Sequence, residues 1–131
     1  MVATAFGGLF ALNALFSQPN FFDRYVCGSP ALWWDDGAFF DLENDYARQH
    51  RELSKVLFVS MGELEQPAAF AACEMVSNFK RLTRKLSERQ YASLNWHSVL
   101  LAEENHSTGV AASFLKGLLW AFRQPIAPAA G

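Results

Sequence analysis

At 131 residues the chain is one domain's worth of sequence, long enough to bury a sizeable core. Hydrophobic residues make up 51% and charged residues 18%, which excludes disordered and fibrous classes. Eleven basic against thirteen acidic residues give a net charge of −2, so no electrostatic footprint for nucleic acid or an acidic membrane surface is expected. In chain order, residues 2–4 form a strand stub ahead of Gly7-Gly8, and residues 8–17 read as a buried helix stopped by Pro19. Ala5 to Phe16 has the length of a secretory core, but no Lys or Arg precedes it. No small-x-small cleavage site follows before Gln18-Pro19, so the stretch is read as part of the fold and the chain is expected in the cytoplasm. Residues 25–28 are a short apolar strand ended by Ser29-Pro30, and "SPALWWDDGAFFD" is loop-like with unusual aromatic density.

Residues 41–53 are polar and helical, and residues 55–61, "KVLFVSM", are a hydrophobic run of strand length. Pro67 is expected to open the longest helix, residues 67–88, with Phe70, Cys73, Met75 or Val76, Phe79 and Leu82 at helical spacing. Lys80, Arg81, Arg84, Lys85 and Arg89 near its end suit a solvated C-terminal face. Residues 96–102 read as another buried strand. "EENHSTG" is a polar turn in which Ser107 and Thr108 can cap the helix expected over residues 110–122. Residues 124–131 are a Pro/Ala-rich tail expected to fray.

Apolar strands separated by helices imply an α/β fold: a mostly parallel sheet of three to four strands flanked by helices, over residues 1–123 as one domain. So few strands would leave a sheet edge open. Cys27 and Cys73 are far apart in apolar contexts and are expected as reduced core thiols. No stretch is long enough to span a bilayer, and no Cys/His cluster has zinc spacing. His97 on a strand and His106 beyond it are not expected to converge with Glu103 and Glu104 on a metal. No cofactor is expected. His97 reads as structural, and His50 as a solvated helix residue.

In a parallel sheet, chemistry sits at the C-terminal strand ends. Three such ends carry "ATAFGG", "MGELEQ" and "EENHST", which offer an elbow, an acid and a histidine in that order. Together with "GGLFALNALF", "SPALWWDDG" at residues 29–37 and Glu104-Asn105-His106, they make the chain resemble the siderophore-type (enterobactin-esterase-like) branch of the α/β hydrolases. The resemblance is to the C-terminal half of such proteins, and implies a partial α/β-hydrolase fold truncated at its N-terminus.

The resemblance implies roles. Ala5 stands at the nucleophile position, where the family has Ser, so the covalent step is absent. The Phe6 backbone N–H is one oxyanion donor, and the other comes from a loop of the missing half. His106 occupies the base position, although without the resemblance it reads as a surface residue in a capping turn. The acid is Glu65, with Glu63 as the runner-up, and either also reads as charge at the start of the following helix. Trp33 and Trp34 are either core aromatics under a loop or flat faces beside a substrate pocket. Two functions follow. One is a truncated, inactive relative of serine esterases, with a small ester or siderophore as ligand. The other is a non-catalytic binding or scaffold chain that associates through an open sheet edge, with itself as a homo-oligomer or with a complementing N-terminal half.

Overall fold

Residues 56–61 run Val-Leu-Phe-Val-Ser-Met, and so apolar a strand is stable only when both its faces are covered. In the computed structural model, which describes residues 1–128, this run is β3 (Val56–Gly62), buried throughout. It pairs with β2 (Arg24–Gly28) on one side and β4 (Asn95–Leu101) on the other, and β2 pairs with β1 (Val2–Thr4). The sheet order is β1-β2-β3-β4, all parallel. Thr4 lies beside Gly28, Gly28 beside Ser60, and Gly62 beside Leu101, so all four strands end along one edge of the sheet.

Alternation along each strand divides the core into two layers. Leu57, Val59 and Met61 face α1 (Phe6–Ser17), α2 (Trp34–Gln49) and α3 (Met75–Arg89), where Leu12, Phe40 and Leu82 meet them. Val56 and Phe58 face α4 (Gly109–Ala121) on the other side. The buried residues of α4 are Gly109, Ser113, Gly117 and Ala121, small and four apart. A Cβ at Gly117 would lie 2.3 Å from a Val26 methyl, so the helix sits closer to the sheet than any larger residue allows. Ser60 and Ser113 share a buried hydrogen bond of 2.6 Å across this interface.

A charged joint ties α2 to α3. Glu43 is wholly buried and accepts hydrogen bonds from Arg89 Nε at 2.8 Å and Tyr91 Oη at 2.8 Å, with Lys85 Nζ 3.6 Å away. Burial pushes the carboxyl up, but the bonds from Arg89 and Tyr91 and the charges of Arg89 and Lys85 outweigh it. Its pKa is held below the ordinary glutamate value.

Four expectations need correction. The helix expected over residues 67–88 is two pieces: a 3-10 segment, Ala68–Cys73, and then α3. Glu74, at φ 46°, is left-handed and breaks the run, while the Gln66 side chain accepts the Ser77 N–H at 2.9 Å in the first turn of α3. Phe70 is therefore 67% exposed instead of joining the core stripe. "SPALWWDDGAFFD" is not simply a loop, because α2 begins within it at Trp34. Asp35, Asp36 and Gly37 are left-handed, and Phe39 and Phe40 are buried beyond them. The helix then stops at Gln49, because Leu53 is drawn into the core with its N–H on Ala92 O. Lastly, the strand expected over residues 96–102 is an outer strand, and only Leu101 is buried, because it has a neighbour on one side alone among the described residues.

Of the tail, residues 129–131 lie outside the described residues. Ahead of them, Arg24 Nη1 donates to Gln124 O at 2.6 Å and Ser93 Oγ to Pro128 O at 3.2 Å. Cys27 and Cys73 are separate free thiols, and burial pushes the Cys27 thiol up to about 12. No helix among the described residues is long and apolar enough to cross a membrane.

Candidate active site

The shared edge gathers the loops that follow β1, β2, β3 and β4. After β1 the chain turns abruptly into α1 at Ala5, whose φ 53° and ψ −121° are avoided by residues with a Cβ. Such a conformation costs about 1–3 kcal/mol and persists only where its surroundings fix it. Here the Ala5 N–H donates to Gly28 O at 3.0 Å, and the Ala5 carbonyl accepts from Leu9 N at 3.0 Å and Ala31 N at 3.1 Å. Phe6 opens the first turn of α1, where backbone N–H groups lack intrahelical acceptors. Its ring meets Trp33 edge-on at 5.8 Å and Trp34 at 5.2 Å.

After β3 the Gly62-x-x-Glu65 spacing has a steric cause. The Gly62 N–H donates to Glu65 Oε1 at 2.9 Å. A Cβ at position 62 would lie 2.5 Å from Glu104 O and 2.8 Å from Glu65 Oε1. Glycine therefore makes room both for the carboxylate and for the backbone that leads on to His106. Glu65 is 5% exposed, and its other oxygen lies 2.8 Å from His106 Nδ1. Facing a carboxylate, Nδ1 carries the proton and Nε2 is the basic nitrogen.

His106 stands on a turn built by its neighbour. Asn105 Oδ1 accepts from Ser107 N at 2.8 Å and Thr108 N at 3.0 Å, and Thr108 Oγ1 accepts from Asn105 N at 2.9 Å. The capping expected of Ser107 and Thr108 is thus done mainly by Asn105, because an Asx side chain closes this turn ahead of the helix.

Ala5, Phe6, Glu65 and His106 border one cavity of about 480 Å³. Trp33, Leu64, Phe70 and Met75 supply apolar wall, the usual make-up of a small-molecule site. Of the tryptophan pair, Trp33 lines the cavity; Trp34 does not, is 53% exposed and packs on Phe6 and Trp33. Glu63 is not brought to His106: its Oε2 accepts the Glu103 N–H at 3.0 Å. His97 stacks on Trp120 at 5.4 Å and His50 on Tyr46 at 4.4 Å, both away from the cavity. Among the described residues no group of three His, Cys, Asp or Glu could hold a metal.

Sequence reasoning missed Ser29. Buried, with φ 44°, it donates from Oγ to Glu65 Oε1 at 2.5 Å. The only signal was its place beside Pro30 at the end of an apolar strand. It also missed the cavity wall from the 3-10 segment, since Phe70 falls at core spacing if the helix is continuous.

No family model matches the chain. A siderophore enterobactin esterase of Emericella nidulans is 34% identical over 89 residues, covering 66% of this chain and 29% of that protein. A siderophore triacetylfusarinine C esterase of Aspergillus fumigatus is 27% identical, covering 92% of this chain and 49% of that protein. The siderophore hydrolase EstA from Aspergillus nidulans superposes with a TM-score of 0.82 at 23% identity, over 91% of this chain and 46% of EstA. This chain therefore spans half or less of the length of these proteins. Over nearly its own whole length, it is a homologue of the siderophore esterases with part of the α/β-hydrolase fold.

Proposed function

We propose that the chain carries the acid–base and pocket portion of a siderophore-esterase-type site, with a methyl group where the attacking hydroxyl belongs, and binds an ester without hydrolysing it. The observation that carries this reading is the convergence of the strained Ala5 elbow and the Glu65–His106 pair on one largely apolar cavity. In the relatives' reaction a serine oxygen attacks the ester carbonyl and its proton passes to imidazole Nε2. The proton then goes to the departing alkoxide, and water repeats the cycle on the acyl-enzyme. Glu65 orients the ring and stabilises its protonated form, and the Phe6 N–H is one oxyanion donor. A second donor would come from the part of the relatives' length that this chain does not span. Removing the nucleophile of such a site lowers the rate by a factor on the order of 10⁶.

The test is a titration with an aryl or catecholate ester. Quenching of tryptophan fluorescence that Trp33→Phe abolishes, without alcohol release above the blank, supports the reading; catalytic release by the unaltered chain would overturn it.

A second reading, a binding chain that associates with a copy of itself or a complementing half, is favoured by α4. Leu115, Leu119 and Phe122 are 64%, 52% and 68% exposed, while the helix's small residues face inward.

A further inference from the structure

We propose that Ser29 is the positioning residue that holds the Glu65 carboxylate against His106; this rests on the pairing of Glu65 with His106 read above. A carboxylate at the end of a strand has two torsions beyond Cβ and swings away unless both oxygens are engaged. Oε2 faces His106 Nδ1 at 2.8 Å, on the open side, where the imidazole is 57% exposed. That bond alone fixes neither group, because each is free to follow the other.

The fixed reference is Oε1, which accepts from Ser29 Oγ at 2.5 Å and from the Gly62 N–H at 2.9 Å. The amide is that of the last residue of β3, three residues before Glu65, while the hydroxyl comes from the residue that follows β2, the neighbouring strand, and ties the acid to a second element. Ser29 is itself immobile: it is 6% exposed, its N–H donates to Ser60 O at 2.7 Å, and Pro30 follows it. Its left-handed backbone, at φ 44°, is what aims Oγ across the strand ends and not along β2. A hydroxyl suits this place because it donates to a charged acceptor without adding charge of its own. Three successive strand ends thus carry one hydrogen-bonded row, Ser29–Glu65–His106, which stops at the cavity.

The experiment is NMR of the full chain with ¹⁵N-labelled histidine. In the unaltered protein His106 shows a proton on Nδ1, shifted downfield and protected from solvent exchange by Glu65. Ser29→Gly removes the hydroxyl and suits the left-handed backbone, so this variant folds. Ser29→Ala removes the same hydroxyl but keeps Cβ. In both, the Nδ1 proton of His106 exchanges roughly tenfold faster or more, as loss of a charge-assisted hydrogen bond implies. Signals of His50 and His97 stay in place. Exchange within twofold of the unaltered protein in both folded variants would overturn the role of Ser29. Faster exchange in Ser29→Gly alone would do the same, since it would trace to backbone freedom. An unaltered protein whose His106 carries its proton on Nε2 would instead overturn the Glu65–His106 reading on which the proposal rests.

Discussion

Ala5 holds a strained backbone turn on behalf of a side chain that is only a methyl group. Hydrogen bonds to Gly28, Leu9 and Ala31 clamp it at φ 53°, where a Cβ is penalised. Ala5→Gly is therefore predicted to stabilise the fold by about 1 kcal/mol, read as a rise in the denaturant midpoint with an unchanged slope. No change or a loss would mean that the elbow is not strained. Ala5 was legible in the sequence because Phe6-Gly7-Gly8 fixes the alignment of the turn. Glu65 was legible only to within a choice with Glu63. What separates them is that Gly62 lacks a Cβ and so admits the carboxylate at one spacing, and that depends on where Glu104 returns, 42 residues later. Ser29 was illegible because its hydrogen bond rests on a backbone angle and on a partner in the turn after another strand.

At the scale of elements, strands were read to within a residue or two, because each is a short apolar run bounded by polar or turn residues. Helix ends were read less well. The start of α3 depends on Gln66 and Ser77 meeting across the 3-10 segment, and the end of α2 on Leu53 being pulled toward Ala92. The charged joint between α2 and α3 yields a prediction. Removing one partner of a buried ion pair costs about 3–5 kcal/mol, and Arg89→Ala is expected toward the low end, since Arg89 is a third exposed and Lys85 and Tyr91 remain. Glu43 is held below its ordinary pKa in the fold. Its contribution is therefore present above the unfolded value of about 4.3 and is lost as pH falls through the lowered folded value. Denaturant unfolding of Glu43→Gln against pH should show a shallower acid limb than the unaltered chain; parallel limbs would contradict the assignment.

Across the whole molecule, the α/β class and parallel sheet were evident from strands hydrophobic on both faces. The outward apolar face of α4 was not, because Val110 to Phe122 reads apolar all round until Gly117, Ser113 and Ala121 are seen against the sheet. Bulky apolar residues on the outer side of a helix predict association. Sedimentation should show the unaltered chain in concentration-dependent equilibrium with larger species, and Leu115→Glu with Leu119→Glu should leave a folded monomer. A monomer at every concentration in the unaltered chain would remove self-association through this face.

In the function proposed above, position 5, which borders the same cavity as His106, lies where a serine hydroxyl would be served by that histidine. Fluorophosphonate labelling read by intact mass tests it most directly. The unaltered chain should take no adduct, Ala5→Ser should take one at residue 5, and Ala5→Ser with His106→Ala should take none. An adduct on the unaltered chain, or a folded Ala5→Ser chain that stays unlabelled, would contradict the account.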